Sequence, residues 1–246
     1  MKWKVLFVKS TGSTNEDLLK MGKEGEPGGT VLVAEEQTAG RGRMTRKWFS
    51  PAGAGLYVSV LVRPKIPADQ AGLLSFCAAN AMRTAIAETG LTETGIKWPN
   101  DLVARGKKIC GILSSCQAEK GMLEFAVIGL GVNLLHTAYP PDLTEKAGSL
   151  EEMGVRVGRE DLLYSYLRYL EQQLRALETD GMAVIEETKN HCATLECEVL
   201  VSGIQEIRGV AKDIDRNGEL IVEIADGTLL PVRTGDVSVR GVMGYV

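Results

Sequence analysis

Apolar and polar positions along the chain follow two rhythms, one of about two residues and one of about 3.6, and their order outlines a fold. Residues 2–9 (KWKVLFVK) form an apolar run of strand length. The polar stretch behind it places Ser13 and Glu16 at the spacing of a capping box, which predicts a helix running to residue 23. Glycines within 25–29 break that helix, and the β-branched run at 30–35 reads as a strand entering a glycine-rich loop over 37–55. Residues 56–63 are a further strand. Apolar residues at 73, 74, 77, 78, 81, 82, 85 and 86 draw the stripe of a buried helix over 70–88, closed by Gly90. Three strand-like runs follow at 96–98, 108–117 and 123–128, with turns at Arg105-Gly106 and Lys120-Gly121. Pro99-Asn100-Asp101 and the Gly129-Leu-Gly131-Val-Asn133 stretch read as turns at strand ends. Helices at 159–178 and 181–191 complete this part, whose strands suit a mixed or antiparallel sheet.

Beyond residue 195 the texture changes to short strands at 197–202, 206–214, 219–225, 228–233 and 236–240, with tight turns at Asn217-Gly218 and Asp226-Gly227. Even spacing of this kind predicts a small five-stranded barrel. The expected architecture is therefore α+β: a mixed or antiparallel sheet flanked by helices over 1–194, and a small β-barrel over 195–246.

Composition narrows the function more than the fold. With 246 residues, 44% of them apolar and 24% charged, the chain can bury a core unaided. Its 28 Lys and Arg against 32 Asp and Glu leave a net charge of −4, which argues against a protein that coats nucleic acid. Lysines interrupt the apolar N-terminus and no run of about 18 apolar residues occurs, so neither a membrane span nor a secretory signal is expected, and the cytoplasm is the expected compartment. The five cysteines are an odd set with no C-x-x-C pair and read as reduced, mostly buried thiols. Two histidines give little material for a zinc site or a histidine-based nucleophile, and no metal ligands are assigned.

Candidate chemistry gathers in three places. Gly40-Arg41-Gly42-Arg43-Met44-Thr45-Arg46-Lys47-Trp48 puts four cations within seven positions of a glycine-containing loop, where backbone N–H groups and guanidinium forks can approach one anion; a basic loop that merely touches RNA has the same composition. No P-loop or Rossmann glycine pattern is present. Lys97-Trp98-Pro99-Asn100-Asp101 collects a lysine, an amide and a carboxylate at a strand end, and a hairpin about Ala104-Arg105-Gly106 would carry Lys108 back beside them. Gly129 to Asn133 offers an amide on an open backbone.

Together these segments resemble the biotin-protein ligase family. Its markers stand in order: Ser13-Thr14-Asn15, Gln37, Gly40-Arg41-Gly42-Arg43 with Arg46-Lys47-Trp48, Lys97-Trp98-Pro99-Asn100-Asp101, Lys108 ahead of Cys110-Gly111-Ile112-Leu113, and Gly129 to Asn133. Gly235-Asp236-Val237-Ser238-Val239-Arg240 resembles the signature of the family's SH3-like C-terminal domain. The resemblance implies a class II synthetase-like catalytic domain that activates biotin with ATP and Mg²⁺ as biotinyl-5′-AMP, then passes it to a lysine of a biotin carboxyl carrier protein domain. It implies biotin contacts from Ser13, Thr14, Asn15, Gln37, Gly40, Arg41, Gly42, Arg43, Lys108 and Gly111. Nucleotide contacts are implied for Arg43, Arg46, Trp48, Lys97, Asn100, Asp101, Lys108 and Asn133, with Lys108, Arg43 and Arg46 carrying the chemistry. Asp101 could orient Lys108, orient the incoming lysine or cap the Pro99 turn.

Because Ser13 lies near the start, the chain looks like the short form without a DNA-binding domain, and no DNA partner is expected; the resemblance also implies a homodimer. Two positions depart from the family pattern. Thr45 stands where glycine is usual, which argues against left-handed backbone there, and Gly55 stands where some members carry asparagine, so no polar contact to the nucleotide is expected from it. The alternatives are a lipoate-protein ligase or octanoyltransferase, which would need a long apolar tunnel, and a non-enzymatic biotin-sensing regulator.

Overall fold

A seven-stranded sheet with the order β1-β2-β3-β7-β6-β5-β4 forms the centre of the protein, and its only parallel pair is β1 with β2. The computed structural model describes residues 1–203, 206–233 and 238–241. In chain order the elements are β1 (Lys4–Thr11), α1 (Thr14–Lys23), β2 (Thr30–Gln37), β3 (Gly55–Val62), a 3₁₀ turn (Ala68–Gly72), α2 (Leu73–Ala87), β4 (Gly95–Lys97), β5 (Asp101–Ala104), β6 (Lys107–Glu119), β7 (Met122–Asn133), α3 (Arg159–Thr179) and α4 (Gly181–Asn190). Residues 101–104 form a strand that the sequence pattern hides, because four residues behind a proline turn carry no readable period; the turn itself ends at Asn100.

The two faces of this sheet have different fates, and strand alternation decides which residues see which. Leu56, Val58, Val60 and Val62 of β3, Cys110 and Ile112 of β6, and Ile128, Leu130 and Val132 of β7 pack in one core with Leu74, Phe76 and Met82 of α2 and Leu163, Tyr166 and Leu170 of α3. On the opposite face α1 buries Leu18 against Leu32, Leu61, Phe125 and Val127. That smaller cluster covers only part of the face, and the rest is the floor of a cavity.

Gly129 to Asn133 is not a turn. It continues β7 to its end, pairing Gly131 with Gly111 and with Tyr57. The glycines serve close packing rather than chain reversal: a Cβ on Gly129 would stand 2.2 Å from Asn15 Oδ1, and one on Gly131 would stand 2.2 Å from Trp48 Nε1. The capping box is also not made. Ser13 is the N-cap of α1 without a side-chain cap bond, and Glu16 pairs with Arg41 instead.

The C-terminal segment forms five antiparallel strands, β8 (Glu198–Ser202), β9 (Ile207–Ile214), β10 (Leu220–Glu223), β11 (Leu229–Val232) and β12 (Ser238–Gly241), in the order β11-β10-β9-β8-β12. Gly235, Asp236 and Val237 of the expected signature lie outside the described residues. This sheet shares the main core through Val199, Ala211, Ile214 and Leu220. The buried Trp98 ties the two parts together: its indole Nε1 donates to the carbonyl of Gly218 at 3.0 Å. Among the described residues no helix is long and apolar enough to cross a membrane.

All five cysteines are free, but only Cys77 and Cys110 are buried; Cys116 is exposed, and Cys192 and Cys197 are intermediate, so the expectation of mostly buried thiols is corrected. Burial pushes the Cys77 and Cys110 thiols well above their ordinary range, which disfavours the reactive thiolate. A thiol-specific reagent should therefore modify Cys116 in the native protein and reach Cys77 and Cys110 only after denaturation. Peptide mapping of the labelled sites checks this, and native-state labelling of Cys110 would contradict it.

Candidate active site

One residue too many in β6 creates the site. Opposite β5 the register slips, so that Leu102 faces Cys110 while Val103 faces Lys108, and Ile109 is the extra residue of a β-bulge. Ile109 and Cys110 both turn into the helix-side core. Lys108 is thereby thrown to the opposite face, beside Gly111, where its Nζ lies 2.6 Å from Asp101 Oδ1 and 5.1 Å from the centre of the Trp48 ring. The expected return of Lys108 to the Lys97-to-Asp101 strand end is observed. Residues 146–148 run along this lysine's backbone, with Lys108 N donating to Lys146 O at 2.7 Å and Gly148 N to Lys108 O at 2.9 Å.

The cavity over this face measures about 750 Å³, within the range of ligand pockets. Its floor is Gly111, Gly129 and Gly131, and Trp48 lies directly on it: a Cβ on Gly111 would stand 2.8 Å from the indole. Trp48 Nε1 is buried without a hydrogen-bond acceptor among the described residues.

One end of the cavity is polar and uncharged. Thr14 N–H donates to Gln37 Oε1 at 3.0 Å, and the Thr14 hydroxyl lies within reach of both Gln37 Oε1 (3.1 Å) and Ser59 Oγ (2.7 Å). Ser59 donates to Asn15 Oδ1 at 2.7 Å, Asn15 Nδ2 to Leu113 O at 2.9 Å, and Gln37 Nε2 to Ser50 Oγ at 3.0 Å. Ser13, free of capping duty, lines the same end. The other end gathers cations. Lys97 is buried at 6% exposure, Arg43 Nη1 donates to Asn100 Oδ1 at 3.2 Å, and Arg46 and Lys108 line the same wall. Asn100 is itself anchored through Nδ2 on Ile112 O, at 2.6 Å. Asn133 closes this end, donating to Gly148 O at 2.9 Å.

The basic loop is built as a tight hairpin. Gly42 N bonds Arg46 O at 2.7 Å and Trp48 N bonds Gly40 O at 2.9 Å. Gly40 does not reach the cavity wall; it lets the two arms of the loop meet, since a Cβ there would stand 2.7 Å from Trp48 O. The apex is left-handed at two non-glycine residues, Met44 (φ 54°) and Thr45 (φ 60°), so the expectation against such backbone at Thr45 is corrected; the closing hydrogen bonds hold a β-branched residue where glycine would be unstrained. Gly42 and Arg41 line the cavity mouth, but Arg41 Nη1 is paired with Glu16 Oε1 at 2.7 Å in an exposed ion pair. Gly55 lies outside the lining, and a Cβ on it would stand 2.6 Å from the Tyr57 ring and from Val132 O.

Several lining residues escape sequence reasoning, among them Ser59, Tyr139 and Val239. Ser59 is fully buried in the otherwise apolar run of β3, and that mismatch was its available signal. Tyr139, whose burial raises its hydroxyl to about 12, packs edge-on to Phe49 at 6.4 Å and lies in an irregular segment that carries no period. Val239 reaches the cavity from the C-terminal sheet.

Comparison with known proteins matches two family models, the Biotin/lipoate A/B protein ligase family over residues 7–133 and the biotin protein ligase C-terminal domain over residues 196–240. The chain is 36% identical to the biotin--[acetyl-CoA-carboxylase] ligase of Mycobacterium tuberculosis, across 96% of this chain and 89% of the relative. It is 35% identical to the bifunctional ligase/repressor BirA of Bacillus subtilis across 74% of this chain, a match that spans 57% of that relative's length. Among solved structures, the biotin protein ligase of Aquifex aeolicus in complex with biotin and ATP superposes with a TM-score of 0.82 at 26% identity, covering 97% of this chain and 99% of the other.

The glycine floor makes a direct prediction. Gly131→Ala places a methyl where the Trp48 indole sits, so the ring must leave its seat, and intrinsic fluorescence should shift to the red while the circular dichroism stays native. Emission indistinguishable from the parent protein would show that Trp48 does not rest on Gly131.

Proposed function

We propose that this chain, which belongs to the Biotin/lipoate A/B protein ligase family, joins biotin to a lysine of a carboxylase's biotin carboxyl carrier domain through biotinyl-5′-AMP. The observation that carries the reading is the division of one cavity into a neutral hydrogen-bonding end (Thr14, Asn15, Gln37) and a cationic end (Arg43, Arg46, Lys97), with Lys108 where they meet. A cyclic urea with an aliphatic carboxylate suits the first, and a polyphosphate suits the second. The family model covers biotin and lipoate enzymes alike; the polar neutral end and the match to a biotin ligase C-terminal domain favour biotin. In this reading residues 1–194 form the catalytic domain and 195–246 the C-terminal domain.

In the first step a biotin carboxylate oxygen attacks the α-phosphorus of ATP and pyrophosphate leaves. Bringing two anionic groups to about 4 Å costs roughly 4 kcal/mol per unit charge pair at an effective dielectric near 20. Lys108 offsets this where charge grows on the reacting oxygens, and the Asp101 carboxylate at 2.6 Å keeps its ammonium aimed, so of the roles open to Asp101 we assign that one. Arg43 and Arg46 hold the phosphates, Lys97 adds positive potential from its buried position, and Asn133 and Trp48 bound the adenylate side. Mg²⁺, which would enter with ATP, would screen the charge of the departing pyrophosphate, and no step is routed through it. In the second step the free amine of the carrier lysine attacks the acyl carbon and AMP leaves.

The sheet edge β4 is covered, since Ile96 bonds His191 and Ala193, whereas β1 is paired only with β2 among the described residues. A homodimer in this reading joins along β1, and sedimentation equilibrium decides it: two copies are expected, and a monomer at every concentration would contradict it.

Three outcomes test the chemistry. AMP and pyrophosphate should form from ATP with biotin and not with lipoate; the reverse preference would overturn the substrate. Lys108→Ala should slow pyrophosphate release by about 10²–10³ while biotin binding changes far less, and release within a few-fold of the parent would remove Lys108 from the mechanism. Arg43→Gly cuts the tie to Asn100 and loosens the hairpin, so adenylate should escape faster and label lysines of bystander proteins; equal escape would mean that Arg43 does not seal the site.

A further inference from the structure

We propose that Ser59, a residue that makes no contact with the ligand in this account, sets the hydrogen-bond polarity of the biotin end by fixing Thr14 as an acceptor. This rests on the biotin reading above. Ser59 is 0% exposed on β3, beneath Thr14 and Asn15, and Asn15 can sit there only because Gly129 lacks a Cβ.

The direction of every proton in this cluster follows from its ends. Leu113 O is a carbonyl and can only accept, so Asn15 must turn Nδ2 toward it, at 2.9 Å, and Oδ1 toward Ser59, at 2.7 Å. Oδ1 carries no hydrogen, so Ser59 donates there. The Ser59 hydroxyl has one proton, and the 2.7 Å contact between Ser59 and Thr14 therefore needs the Thr14 proton. Gln37 Oε1, 3.1 Å from the same hydroxyl, already accepts the Thr14 backbone N–H at 3.0 Å and is the more distant of the two acceptors open to the hydroxyl proton. Giving Gln37 the hydroxyl proton instead would leave two bare oxygens 2.7 Å apart. With its proton committed to Ser59, Thr14 Oγ1 offers the cavity only lone pairs, so the ligand must bring an N–H to it. A cyclic urea does so on either side of its carbonyl; a ring carbamate, with one N–H replaced by oxygen, fails in one of its two isomers.

The test is steady-state pyrophosphate release by the intact chain, with biotin and with each of the two ring-carbamate isomers of biotin, for the parent, Ser59→Ala, Ser59→Cys, Thr14→Val and the Thr14→Val/Ser59→Ala pair. Ser59→Ala should raise the KM for biotin about tenfold, because the Asn15 acceptor is orphaned and the Thr14 proton is released, while the KM for ATP stays within about twofold. Ser59→Cys, with its weaker donor, should fall between. The parent should reject one carbamate isomer by about 10²-fold or more, and Ser59→Ala should narrow that gap to below about tenfold because the freed hydroxyl can now donate. In the Thr14→Val background Ser59→Ala should raise the KM for biotin clearly less than in the parent, because only the Asn15 acceptor is then left to be orphaned, whereas loss of packing alone would give the same effect in both backgrounds. An active parent enzyme whose Ser59→Ala variant keeps the biotin KM and the isomer preference would overturn the relay alone. A parent that releases no pyrophosphate with biotin would overturn the ligase reading and the relay with it.

Discussion

The β-bulge at Ile109 turns Lys108 onto the glycine face of the sheet, and the chemistry of the cavity depends on that turn. If residues 108–110 alternated regularly, with no bulge, Lys108 would share a face with Cys110 and point into the helix-side core, where an ammonium would be desolvated among apolar side chains. With the bulge, two consecutive apolar residues enter the core and the lysine emerges beside Gly111, within 2.6 Å of Asp101. The same face is kept low by Gly111, Gly129 and Gly131, so that Trp48 and Asn15 can lie on the strands themselves. Side chains at those three positions would fill the cavity from below.

Around this floor the protein separates two solvation problems. The neutral end satisfies its polar atoms internally, through Asn15, Ser59, Thr14, Gln37 and Ser50, and so keeps a fixed geometry before a ligand arrives. The cationic end keeps positive charge close together, with Lys97 buried and Lys108 balanced by Asp101. Positive side chains gathered at one end of a cavity are the arrangement expected where polyphosphate must be drawn in and its charge offset in the transition state. The C-terminal sheet takes part through Val239 at the wall and through the Gly218 carbonyl that holds Trp98, next in sequence to Lys97.

Much of this was legible in the sequence. The long apolar runs and the α2 stripe gave the strand and helix order, and the marker segments gave most of the cavity lining. What stayed hidden has physical causes. Glycine signals a turn and a close approach equally, so the end of β7 read as a chain reversal until Asn15 and Trp48 were seen above it. The Ser13–Glu16 spacing fits a capping box, but spacing is blind to Arg41, which reaches Glu16 from another element. Thr45 looked incompatible with left-handed backbone because intrinsic preference is weak against a loop closed by its own hydrogen bonds. Ser59 and Tyr139 act through contacts distant in sequence, and neither alternation nor motif spacing carries that information.

The central claim is that a biotin carboxylate oxygen attacks the α-phosphorus before the acyl group passes to an amine, and an isotope label tests it most directly. Biotin carrying ¹⁸O in its carboxylate is incubated with ATP, the chain and a carrier domain, and the AMP released is analysed by mass spectrometry. With both carboxylate oxygens labelled, the AMP should contain one ¹⁸O, because the bridging oxygen of the mixed anhydride stays with phosphorus when the amine displaces it. Biotinylated carrier accompanied by unlabelled AMP would contradict the claim.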